Sequence, residues 1–185
     1  MSLQGTRVAI VATHGFEEAE LSSPREAMQA QGIEVDIVAP EGGEIRAWAE
    51  TDWGDNYTVD KTIDEVSEAD YDALMLPGGH FNPDVLRTNE KVLTFVRSFF
   101  AAHKPVGAIC HAPWILINAG VVEGRNMTSV PSISQDLKNA GAKWEDKEVI
   151  VDSGFVTSRT PKDLEAFNAK LVEEISEGKH RKQHA

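Results

Sequence analysis

One cysteine in 185 residues excludes an internal disulfide, and with it the stapled framework of a small secreted domain. Positive charge is scarce: 18 Lys and Arg against 30 Asp and Glu give a formal net charge of -12. A surface of that sign repels nucleic acid and anionic lipid, so neither is expected as a partner. No apolar run approaches membrane-spanning length. The start, Met1-Ser2-Leu3-Gln4-Gly5-Thr6, lacks the basic and apolar pattern of a secretory signal. There is no GxGxxG, no P-loop and no CxxC pair, and the six histidines show no metal-ligand spacing. These absences predict a cytoplasmic protein without metal or cofactor. The length predicts one domain over 1–185, with a full core.

What is present alternates. Residues 7–13 (RVAIVAT) form an apolar run expected as a strand buried on both faces, and Glu34–Ala39, Ala73–Leu76 and Val106–Ile109 are expected as further strands. Residues 17–31, 89–103, 112–119 and 132–140 read as helices, and 62–69 as a short one. Pro24 is placed in a first turn, where it is tolerable. Residues 40–61 read as short antiparallel strands or a loop excursion, with Trp48 and Trp53 packing the excursion or a subunit contact. Residues 148–151 and Phe155–Ser158 read as a hairpin. Thr160 is expected to cap a last helix, with Pro161 at its first position. The basic tail from Gly178 is expected to fray. Such alternation predicts an α/β fold: a doubly wound, mostly parallel sheet sandwiched by helices.

In such sheets chemistry lies beyond the carboxyl ends of the strands. Three groups fall there: Glu17, Glu18 and Glu20; Pro77-Gly78-Gly79-His80; and Cys110-His111. A cysteine between a short strand and a helix is placed as on a nucleophile elbow. The helix N-terminus is expected to lower its pKa and supply thiolate. The bland alternative keeps Cys110 in its strand as a small buried hydrophobe. His111 is placed to take the thiol proton, if the elbow turns the two neighbouring side chains together. One of the three glutamates, facing the sheet end, would be desolvated, protonated and able to donate to the sulfur. The Gly78 and Gly79 amides, with the amide after the nucleophile, either form an oxyanion hole or serve only the shape of a tight turn.

Four segments then resemble one family: residues 15–21 (GFEEAEL), 76–79 (LPGG), 108–113 (AICHAP) and 157–161 (TSRTP). Their order and spacing resemble the PfpI/ThiJ superfamily, and within it the PfpI-type intracellular protease and general stress protein branch. The resemblance implies the flavodoxin-like, class I glutamine amidotransferase-like fold. It implies Cys110 as nucleophile, His111 as its histidine, Glu20 as the glutamate on the thiol, and the backbones of Gly79 and His111 as oxyanion donors. It also implies that Asp84 is the acidic residue given to a neighbouring subunit, in a dimer or hexamer. Asp84 departs from the family pattern: aspartate is shorter by a methylene, and its loop is longer. Ala112 stands where the family has glycine. The late histidines are only His180 and His184, with no His-x-Glu segment, which disfavours glutamine hydrolysis.

The expected function is a stress-related, cysteine-dependent hydrolase or lyase. Deglycase or glyoxalase-like action on small carbonyl adducts is preferred over intracellular peptidase action. The alternatives are a redox-sensing or chaperone stress protein with an oxidisable cysteine and no turnover, and an inactive scaffold. The expected partners are a small carbonyl or peptide substrate and further copies of the chain.

Overall fold

The structure is a computed structural model that describes residues 3–183. β1 (Arg7–Val11) leads into α1 (Glu18–Gln29) and β2 (Glu34–Ala39). A hairpin follows, β3 (Glu44–Ala49) and β4 (Asp52–Thr58), and then the short β5 (Lys61–Thr62). β6 (Ala73–Leu76), α2 (Phe81–Leu86), α3 (Glu90–Ala101), β7 (Val106–Ile109) and α4 (Pro113–Ala119) build the centre. β8 (Asn126–Met127), α5 (Ser134–Asn139), β9 (Lys143–Trp144), β10 (Val149–Asp152), β11 (Phe155–Ser158) and α6 (Leu164–Glu177) complete the chain.

Seven strands form one sheet in the order β10-β11-β7-β6-β1-β2-β5. All neighbours run parallel except the β10–β11 edge pair. The expected doubly wound α/β architecture is what the chain adopts. Alternate side chains of a strand point to opposite faces. In β1, Ala9 and Val11 therefore join the layer of α3 and α4, with Phe99, Phe100 and Leu116, while Val8 and Ile10 join that of α1 and α6, with Leu21 and Phe167. Both faces are covered, which is why these strands read as unbroken apolar runs.

Several expectations are corrected. Residues 62–69 are not a helix: Thr62 pairs with Ala39 in β5, and only Glu68–Asp70 coils, as a 3-10 turn capped by Ser67. Pro24 lies in the second turn of α1 rather than the first, so the Glu20 carbonyl has no intrahelical donor at that position. Thr160 makes no side-chain cap; a 3-10 turn, Pro161–Asp163, leads into α6, and Asp163 instead grips the Arg159 guanidinium through both carboxylate oxygens. The tail does not fray up to Gln183: His180 N donates to the His103 carbonyl at 2.8 Å, and Gln183 is fully buried. His184 lies outside the described residues. The excursion is the β3–β4 hairpin, with Trp48 opposite Trp53.

Candidate active site

β1, β6 and β7 are adjacent and parallel, so their carboxyl ends lie side by side. From β7 the chain turns at Cys110 with φ of 62°, a left-handed conformation that non-glycine residues rarely adopt. The turn is held from both sides: Cys110 N donates to the Ser158 carbonyl at 3.1 Å, and Val130 N donates to the Cys110 carbonyl at 3.1 Å. This is the strained elbow expected of a presented nucleophile. It brings the neighbouring side chains together, with Cys110 Sγ 3.2 Å from His111 Nδ1.

The glutamates of the first helical turn divide their work. Glu17 Oε1 accepts from Glu50 N, and Glu18 Oε1 accepts from Asp55 N and the Tyr57 hydroxyl; both fasten the β3–β4 hairpin. Glu20 is fully buried and turns to the sheet end, where Oε2 accepts from Gly78 N at 2.8 Å. Its Oε1 is buried without a partner of hydrogen-bond geometry. Burial pushes the Glu20 carboxyl up to about 8, so it is protonated at neutral pH and Oε1–H can donate towards the sulfur.

Glycine is obligatory beside it. A Cβ at Gly78 would lie 2.5 Å from Glu20 Oε2 and 2.7 Å from Cys110 Cβ. Gly79 has φ of 88°, and a Cβ there would meet the Gly15 carbonyl oxygen at 2.5 Å. The amides of Gly79 and His111 both act on the sulfur and pull its pKa down. Burial acts more strongly in the other direction and raises the thiol well above its ordinary value, and the Glu20 charge adds to this once that carboxyl ionises above about pH 8. The expected resting thiolate is thereby corrected. α4 has seven residues and its first turn lies beyond His111, so its dipole does not offset the desolvation of a residue only 9% exposed. His111 is driven down to about 4 by burial and by the neighbouring His80. At neutral pH the thiol, imidazole and Glu20 carboxyl all rest uncharged.

The His80 ring stands 4.6 Å from the His111 ring, and the Trp114 ring 5.2 Å from it. Ser132 Oγ lies 3.4 Å from His111 Nε2. Sequence reading placed His80 in a turn motif without a role and missed Ser132 and Trp114; no local spacing signals the Ser132 contact, made across 21 residues, whereas Trp114 follows His111 by three residues, a helical spacing that signals contact. Asp84 lies exposed in the first turn of α2 and makes no hydrogen bond or ion pair with another described residue. Among the described residues one grouping has metal-ligand geometry, Glu174, Glu177 and His180 at the end of α6. Within it His180 Nε2 lies 3.3 Å from Glu174 Oε2. Among the described residues no helix is long and apolar enough to cross a membrane.

Comparison with known proteins gives the family. The DJ-1/PfpI family matches residues 6–174. Protein/nucleic acid deglycase 2 of Escherichia coli (strain K12) is 45% identical over 167 residues, spanning 90% of this chain and 95% of the relative. General stress protein 18 of Bacillus subtilis (strain 168) is 43% identical over 173 residues, spanning 91% and 96%. The crystal structure of a two-domain protein from Anabaena variabilis, with DJ-1/ThiJ/PfpI-like and ferritin-like domains, superposes with a TM-score of 0.87 at 30% identity. That match covers 92% of this chain and 48% of the other, so this chain spans about half the length of that protein. A match running through all three strand ends of the site, at this identity, places the chain in the DJ-1/PfpI family.

Proposed function

We propose that the protein is a cysteine-dependent deglycase acting on small dicarbonyls and their amine adducts. The observation that carries this reading is the Cys110 Sγ, 3.2 Å from His111 Nδ1 on a left-handed elbow, with a buried carboxyl and two amides turned to it. The deglycase name of the Escherichia coli relative and the stress-protein name of the Bacillus subtilis relative support it.

The resting thiol is neutral, so the nucleophile forms as it reacts. The C–S bond forms at the carbonyl carbon while the S–H bond breaks and its proton passes to His111 Nδ1. The electron pair moves to the carbonyl oxygen, facing the amides of Gly79 and His111. The imidazolium returns the proton to that oxygen, leaving a neutral hemithioacetal. With an amine adduct, sulfur displaces nitrogen and the departing amine takes the proton. From methylglyoxal the next change is internal: the C1 hydrogen moves as a proton to C2 through an enediol. C1 is oxidised and C2 reduced, so no outside oxidant is required. Water then cleaves the lactoyl thioester to lactate and thiol.

The buried Glu20 carboxyl, protonated at neutral pH, carries no charge to repel the sulfur, and so keeps the addition free of like charge. A protonated thiol on a buried residue reacts slowly with peroxide, because the thiolate is the oxidisable form. That weighs against the sensor reading. The test is lactate release from methylglyoxal, and free amine from a glycated amine, by the wild type and by Cys110→Ser. Loss of both in the variant is expected; equal rates would remove the proposal.

A further inference from the structure

We propose that Ser132 is the residue that positions His111 and fixes its tautomer from within the same subunit. The inference deepens the proposed function and rests on it for the direction of proton transfer.

The imidazole has two ring nitrogens, and the structure gives each of them a neighbour. His80 and Trp114 lie against the ring with centroids at 4.6 and 5.2 Å, and so hold its plane. Nδ1 meets the sulfur at 3.2 Å, and Nε2 meets Ser132 Oγ at 3.4 Å. A neutral imidazole carries one proton. To receive the thiol proton, Nδ1 must be bare, which puts the ring proton on Nε2. The partner of one ring nitrogen decides which nitrogen is protonated. A serine oxygen accepts from Nε2–H before the transfer and again afterwards, when both nitrogens are protonated, without any rearrangement. The contact is long for a hydrogen bond, as such contacts often are before substrate binds.

A second observation ties Ser132 to the nucleophile. It sits in the 3-10 turn Pro131–Ile133, and the residue preceding that turn, Val130, donates its N–H to the Cys110 carbonyl at 3.1 Å. The segment that presents the hydroxyl is thus anchored to the elbow itself. Ser132 and Asp84 are both exposed in the single chain; of the two, Ser132 is the one that meets Nε2, at 3.4 Å, while the Asp84 side chain makes no hydrogen bond with another described residue.

The experiment is 15N NMR of histidine-labelled protein, which reads the His111 tautomer without requiring turnover. The wild type should show a protonated Nε2 and a bare Nδ1. Ser132→Ala should move population to the Nδ1–H form, and Ser132→Thr, which keeps the hydroxyl, should restore the wild-type pattern. In the lactate assay Ser132→Ala should lower kcat about tenfold with KM unchanged. A wild-type ring protonated on Nδ1, or identical spectra for wild type and Ser132→Ala, would overturn the proposal. So would a tautomer change in Asp84→Asn that is absent from Ser132→Ala. If Cys110 proves to turn over no carbonyl substrate, the proposed function fails, yet the spectra still decide the placement of the proton.

Discussion

Glu20 reaches across the sheet end to accept the Gly78 amide at 2.8 Å, and residue 78 leaves no room for a side chain between that carboxyl and Cys110. A Cβ there would also meet the Ile109 carbonyl oxygen at 2.8 Å, so backbone as well as side chains would have to move. Gly78→Ala is therefore expected to cost about 1–3 kcal/mol, the usual range for overpacking. For a chain of this size that lowers Tm by about 2–4 °C per kcal/mol. Calorimetry checks this; an unchanged Tm with unchanged thiol reactivity would contradict the packing described.

The raised pKa of Glu20 gives stability a pH dependence of fixed sign. The folded state holds the proton up to about 8, while the unfolded chain releases it near the ordinary value of 4.5. The stabilising contribution is complete below 4.5 and is lost as pH rises through about 8. Glu20→Gln removes the titration. The Tm of the wild type minus that of the variant should fall steadily between pH 5 and pH 9. Parallel curves would show that the carboxyl is not held protonated.

His111 acts in the opposite direction. Its folded pKa of about 4 lies below the ordinary 6.5, so its contribution is present above 6.5 and lost as pH falls towards 4. His111→Asn should leave stability less sensitive to acid between those values, as followed by thermal melts at fixed ionic strength. An acid limb unaltered by the substitution would contradict the burial of a neutral ring.

Away from the site, Lys104 is buried, donates from Nζ to the carbonyls of Tyr71 at 2.7 Å and Glu68 at 2.9 Å, and pairs with the Glu68 carboxylate. Lys104→Ala leaves those acceptors short of a donor and should cost about 1–3 kcal/mol in urea unfolding. Lys91→Ala, which breaks the exposed pair with Asp64, should change little. Equal effects would contradict the difference in burial.

The sheet was legible because strands covered on both faces write themselves as apolar runs, and Ala73–Leu76 and Val106–Ile109 carry the same limits in sequence and structure. The elbow was legible because Cys110-His111 sits between such a strand and a proline-led helix. α2 was missed because Asn82 and Pro83 look like turn residues, although Asn82 is fully buried and donates to the Pro77 carbonyl at 2.9 Å. The choice among Glu17, Glu18 and Glu20 is tertiary: a hairpin claims the first two, and only the third faces Gly78. The charge state of the sulfur was misread for a related reason. The local pattern displays the helix start, whereas the desolvation that outweighs it comes from segments distant in sequence.

The central claim is that Cys110 rests as a neutral thiol and loses its proton only when a carbonyl group is attacked. The rate of alkylation by iodoacetamide against pH, with Cys110→Ser as the blank, tests it most directly. The account predicts slow reaction at pH 7 and a midpoint above the free-thiol reference of about 8.5. Rapid alkylation with a midpoint at or below pH 7 would contradict it.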